Sequence, residues 1–190
     1  FYRANELRDY YNELTLRFKK DWNVEFRAYN DGIAYRFVSR SKKPFNVVDE
    51  TVDYRFPSDM VASVPYVKAG KDGDYESQYF NSFENTYTTD RLSKLNKKRL
   101  MFLPLVVDAG EGVKICITES GLENYPGLYL SAAEGENRLT GQFAPYPKKT
   151  VQGGHNQLQM LVKERENYIA KTSGTRSFPW RAFIISQNDK

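Results

Sequence analysis

The chain has 190 residues, a formal net charge of +4 and a pI near 9.0, with 40% hydrophobic and 15% aromatic residues. That length supports one domain with a real core, and no apolar run approaches the length of a membrane span. A single Cys, Cys116, excludes an internal disulfide, and the only His, His155, is the one candidate base for a Ser-His-Asp or Cys-His centre. Fourteen Tyr and twelve Phe against three Met favour β structure and surfaces that stack on sugars or bases. Lys and Arg are mixed with Asp and Glu along most of the chain, as on an ordinary solvated surface. The densest basic run, KLNKKR at 94–99, stands without a binding motif, so no nucleic-acid partner is expected. The chain opens FYRANELRDYYNEL, which is charged and already patterned. No signal peptide is visible there, and the opening reads as the middle of a protein.

Residues 12–18 alternate, with Leu14, Leu16 and Phe18 on one face and Glu13, Thr15 and Arg17 on the other. Residues 22–29 align Trp22, Val24, Phe26 and Ala28. Asn30-Asp31-Gly32 is a hairpin turn signal, and 33–39 returns with Ile33, Tyr35 and Phe37 on one face. The three segments predict an antiparallel meander. Residues 51–56 alternate again, and Pro57 and Pro65 bracket a short apolar run at 60–64. The stretch 75–89 is rich in Tyr, Phe, Thr and Asn and predicts one or two strands with loops. LMFLPLVV at 100–107 reads as a buried strand bent at Pro104.

Residues 113–130 organise the chain. Val113, Ile115 and Ile117 share one strand face, and the next residue in that column is Glu119. A carboxylate aimed inward at a strand end suits a metal ligand or an acid/base group; an N-cap or a solvated strand-end charge would look the same. Ser120-Gly121 and Asn124-Tyr125-Pro126-Gly127 then form a tight loop, followed by Leu128-Tyr129-Leu130. A turn is expected at 134–137, a strand at 138–143, and a proline-bent loop, APYPKK, at 144–149. Short strands follow at 157–162 and 167–172, and the last strand runs over 178–185. Gly153-Gly154 reads as a hairpin loop rather than an anion cradle. No segment keeps a helical period, and strands and turns recur as in a large all-β sandwich.

Phosphate loops, zinc spacings and nucleophile elbows are absent. Carboxylates are scattered, so no glycosidase dyad stands out. Tyr125, Tyr129, Tyr146 and Trp180 lie near turns and suit either sugar stacking or rim packing.

Six segments, read together and in order, closely resemble the N-terminal domain of glycoside hydrolase family 97. They are YNELTLRF (11–18), FRAYNDGIAYRF (26–37), ITES (117–120), NYPGLYL (124–130), FAPYP (143–147) and GTRSFPWR (174–181). The family includes bacterial α-glucosidases and α-galactosidases, many from Bacteroidetes. The resemblance implies an antiparallel β-super-sandwich similar to galactose mutarotase, packed on a C-terminal (β/α)8 barrel that carries the catalytic carboxylates. It implies that the sandwich walls the active site and gives a glutamate to a calcium ion; the matching residue is Glu119. Gln142 and Tyr146 are the candidate substrate contacts, and the substrate is an α-linked oligosaccharide. A periplasmic location follows from the resemblance alone.

The family's domain begins several strands before Phe1, so the chain is expected to be a partial sandwich, 1–190, with unpaired edges open to a dimer contact. A barrel needs about 250 residues and does not fit in this chain, which is therefore expected to be inactive alone and to hold no catalytic residue. Glucoside or galactoside, inverting or retaining, is left undecided. The alternative is a stand-alone carbohydrate-binding sandwich that stacks sugars on Tyr125, Tyr146 and Trp180.

Overall fold

The computed structural model describes residues 9–80, 82–133 and 137–187. Its strands in chain order are β1 (Asn12–Arg17), β2 (Trp22–Tyr29), β3 (Gly32–Ser39), β4 (Phe45–Val47), β5 (Asp53–Arg55), β6 (Val61–Pro65), β7 (Tyr87–Arg91) and β8 (Leu105–Gly110). Then come β9 (Val113–Ser120), β10 (Tyr129–Ala132), β11 (Arg138–Gln142), β12 (Pro147–Gly153), β13 (Gln159–Arg165), β14 (Ala170–Thr172), β15 (Arg176–Ser177) and β16 (Trp180–Ser186). The main sheet runs β1-β2-β3-β16-β9-β8-β6-β7, with β15 also on β3, and every pairing is antiparallel. A smaller sheet, β10-β11-β5, supplies the second layer. The all-β sandwich read from the alternation is what the chain forms.

The meander at 12–39 forms as expected. Tyr29 pairs with Gly32 across the two turn residues Asn30 and Asp31. Gly32 is required by close approach rather than by turn geometry: a Cβ there would sit 2.3 Å from the Phe183 carbonyl oxygen on β16. The last strand therefore lies against the meander, and β16 joins two parts of the sheet that are far apart in sequence.

The core lies between one half of the main sheet and the small sheet. Ala62, Val64, Leu105, Val107 and Ile117 from below meet Val52, Leu130, Leu139 and Phe143 from above, all buried. Strand parity extends this face onto the meander through the cross-strand row Leu14, Phe26, Tyr35, Arg181 and Glu119. At its far end the face is open, with Leu14 56% and Phe26 38% exposed.

Several expectations are corrected. The stretch 75–89 holds one strand, β7, at its end, and it also holds a helical turn that was not expected: Tyr75–Gln78, α1, capped by Asp74, whose side chain accepts from the Ser77 amide. In 100–107 the strand begins only at Leu105, after a cis Leu103-Pro104 peptide, while Met101 makes single bridges to Tyr66 and Leu130. The APYPKK segment is not all loop: Pro147 starts β12, which pairs with β13. Most of the turn expected at 134–137 lies outside the described residues. Among the described residues no helix is long and apolar enough to cross a membrane.

Leu130 is fully buried between the layers. Leu130→Ala is expected to lower unfolding stability by about 2–5 kcal/mol in urea titrations, because transfer and cavity costs add. Leu14→Ala, on the open face, is expected to stay within about 0.5 kcal/mol.

Candidate functional site

Strand parity brings Glu119 inward, as the sequence implies. It stands directly opposite Arg181 across the β9–β16 ladder. Arg181 is also inward, in one column with Phe183, and its side chain is 1% exposed. The guanidinium Nη1 donates to Glu119 Oε2 at 2.5 Å. Its Nε and Nη2 donate to Glu50 Oε1 and Oε2 at 3.0 and 2.8 Å. Arg181 thus forks onto Glu50 through two bonds and touches Glu119 through one.

The loop between β9 and β10 closes the site. The Leu128 amide donates to both oxygens of Glu119, at 3.0 and 3.1 Å, and the Tyr125 hydroxyl donates to Glu50 Oε2 at 2.9 Å. The backbone donor to Glu119 thus comes from the far end of the loop and not from the 120–124 turn that follows the strand. The glutamate is only 11% exposed, so it is more enclosed than a rim carboxylate. It lines a cleft of about 330 Å³ together with Phe83, Leu122 and Gly127.

Burial pushes the Glu119 carboxyl up from its ordinary value, against the opposing pull of Arg181 and the Leu128 amide. Burial also pulls on Arg181, downward, but Glu50 and Glu119 outweigh it and the guanidinium stays charged. The two directions agree with the geometry: Arg181 is shared, and Glu119 receives the smaller share. Burial, reinforced by Glu50, pushes the Tyr125 phenol up as well, so it remains a donor.

Among the described residues no three His, Cys, Asp or Glu side chains converge to hold a metal. Among the described residues, the atom that remains open to a cation at this site is Glu119 Oε1. Among the described residues Oε1 accepts from the Leu128 amide alone, and Gly127 has no side chain beside it; a Cβ there would lie 3.4 Å away. A carboxylate oxygen with one donor retains a lone pair, so a contribution to a shared calcium site fits this donor set, and a complete site does not.

The other candidates lie elsewhere. Gln142 ends β11, and its Nε2 donates to Ser131 Oγ at 3.3 Å. Tyr146 packs on Tyr168, lies under Lys171 Nζ at 5.1 Å and is 37% exposed. It lines a polar cleft of about 720 Å³ with Lys171, Arg176 and Trp180. No hydrogen bond among the described residues joins Gln142 or Tyr146 to Glu119. Trp180 carries the guanidiniums of Arg27 and Arg36 on its ring, at 4.7 and 4.3 Å, and Tyr125 meets Phe143 and Phe178 edge-on. Both rings are thus engaged within the protein. His155 is exposed in a short turn, and Arg99 spends its guanidinium on the carbonyls of Val67, Lys68 and Gly70.

Sequence reasoning missed Glu50 and Arg181. Arg181 carried the same signal as Glu119, a charge in an inward column beside Phe183 and Ile185. Glu50 precedes β5 in irregular chain and carried no periodic signal.

The fold is an antiparallel β-sandwich that carries an inward, largely buried carboxylate at the end of β9. The family model described as Glycosyl-hydrolase 97 N-terminal matches residues 1–190, and the chain belongs to that family. It is 78% identical, over all 190 residues, to a retaining alpha-galactosidase of Bacteroides thetaiotaomicron, and spans 29% of that protein's length. Among solved structures it resembles a glycoside hydrolase family 97 enzyme from Pseudoalteromonas sp. strain K8 in complex with acarbose. That match has a TM-score of 0.62 and 17% identity, over 88% of this chain and 21% of the other. A beta-arabinopyranosidase matches with a TM-score of 0.58 and 16% identity, over 87% and 25%. These distant likenesses show the sandwich fold.

Arg181→Ala would leave Glu50 and Glu119 buried without their counter-charge. The expected loss is about 3–5 kcal/mol, read from urea unfolding of the chain.

Proposed function

We propose that this chain is the N-terminal sandwich of a calcium-dependent, retaining α-galactosidase, and that it walls the active site of a C-terminal barrel domain. The 78% identity to a retaining alpha-galactosidase over the whole chain carries this reading. Relatives much longer than the chain support a multidomain parent, since the chain spans 29% of that relative. The likeness favours a galactoside over a glucoside and retention over inversion.

Within that reading Glu119 supplies one oxygen to a calcium ion whose other ligands come from the barrel and from water. Calcium takes six to eight hard oxygens and, when bound, stabilises negative charge near the scissile bond. The chain's own part is positional. Arg181 and the Leu128 amide fix the carboxylate, and the β9–β10 loop shields it from bulk water. Gln142 and Tyr146 are proposed as contacts to the outer part of the oligosaccharide, Tyr146 through its partly exposed ring.

The test uses the full-length protein that carries this chain. It should hydrolyse a nitrophenyl α-galactoside faster than the α-glucoside, lose activity with a chelator and regain it with calcium. The isolated 190-residue chain should show no hydrolysis. Glu119→Gln should shift the calcium dependence of activity to higher concentration, by about tenfold for one lost charge-assisted ligand. Superimposable calcium curves for wild type and Glu119→Gln would reduce Glu119 to a structural ion-pair partner.

A further inference from the structure

We propose that Glu50 acts as a charge-balancing residue and Arg181 as a positioning residue for Glu119. Glu50 cancels the guanidinium's charge, so that the carboxylate Arg181 holds in place stays available to a cation. The proposal rests on the reading of Glu119 as a calcium ligand and names the residues that set its strength.

The geometry has two parts. Arg181 fixes the Glu119 carboxylate from one side through Oε2, while the Leu128 amide spans both oxygens. Taken alone, that arrangement is a poor cation ligand. A guanidinium does not lose its proton in a protein, and here it lies 2.5 Å from the ligand carboxylate. A divalent ion arriving at Oε1 would meet a neutral ion pair with its positive end fixed close by.

Glu50 changes that balance. Both of its oxygens accept from the same guanidinium, and Tyr125 adds a neutral donor that holds Glu50 in place. Two carboxylates against one guanidinium leave the cluster with one net negative charge. The side chains of Glu50, Arg181 and Glu119 are only 7%, 1% and 11% exposed, so this charge is weakly screened. An enclosed net charge is costly unless a counter-charge is near, and Glu119, the more exposed of the two carboxylates, borders the cleft. A cation at Glu119 meets both requirements. A purely structural ion pair would need only one carboxylate.

The experiment measures calcium affinity of the full-length protein by titration calorimetry after chelator treatment, together with the calcium-induced rise in Tm. Five forms are compared: wild type, Glu50→Gln, Glu119→Gln, and the double variants Glu50→Gln/Arg181→Gln and Glu50→Gln/Glu119→Gln. Glu50→Gln keeps the shape and removes the charge. It should weaken calcium by at least about tenfold, since the unbalanced guanidinium then repels the ion across a low-dielectric site. Glu50→Gln/Arg181→Gln removes both charges of the Glu50–Arg181 pair and should recover part of the loss, binding more tightly than Glu50→Gln alone. In a Glu119→Gln background, Glu50→Gln should have no further effect beyond about twofold.

Unchanged affinity in Glu50→Gln, with weakened affinity in Glu119→Gln, would overturn the charge-balance proposal and leave the ligand reading standing. Unchanged affinity in Glu119→Gln would overturn both. If Glu50→Gln does not fold, Glu50→Gln/Arg181→Gln, which holds no unbalanced guanidinium, carries the test. It should bind calcium more tightly than Glu119→Gln, and equal weakness of the two would overturn the proposal.

Discussion

The buried guanidinium of Arg181 ties together three parts of the chain that are far apart in sequence. It lies on β16, faces the end of β9 and reaches the irregular segment before β5 through Glu50. The β9–β10 loop is tied to the same cluster at two points, by Tyr125 and by Leu128. Such a cluster is held by geometry rather than by surplus energy. Desolvating three charged groups offsets much of their attraction, and the benefit lies in fixing one arrangement of the groups. In this protein the arrangement fixed is the direction of one carboxylate.

The main sheet distributes its burial unevenly, and this puts the cluster at a boundary. On one side, β6, β8 and β9 are closed by the small sheet over Leu105, Val107 and Ile117. On the other side the same face continues over β3, β2 and β1, where Leu14, Leu16 and Phe26 are open to solvent. Arg181 and Glu119 occupy the row where closed core gives way to open face. A charged pair deeper in the core would cost more to desolvate, and one farther out would be solvated and screened.

The opposite face of the sheet handles charge by a different device. Arg27 lies over Tyr11 at 4.0 Å and over Trp180, while Arg36 lies over Trp180 and pairs with Glu25 at 2.7 Å. Stacked guanidiniums cover aromatic area with their planar groups and keep their charge near water, which suits a solvated sheet face. Trp180 is thereby spent on cohesion between β2, β3 and β16, and the one exposed aromatic beside the polar cleft is Tyr146.

The sequence by itself determined the all-β class, the 12–39 meander and the inward direction of Glu119, because a period of two assigns each side chain to a face without knowledge of any partner. The same rule, applied to Arg181-Ala182-Phe183, also points that guanidinium inward. It missed the helical turn at 75–78 and the start of β12 within 144–149, where polar residues, aromatics and prolines blur the period and local capping or pairing decides. Only the tertiary structure decided that Arg181 meets Glu119, because the pairing of β16 with β9 joins residues 62 apart in sequence. Only it brought Glu50, 131 residues from Arg181, into the same cluster. Glu50 lies in irregular chain, where no period assigns a face, so its role is set by where the fold places it and not by its neighbours in sequence.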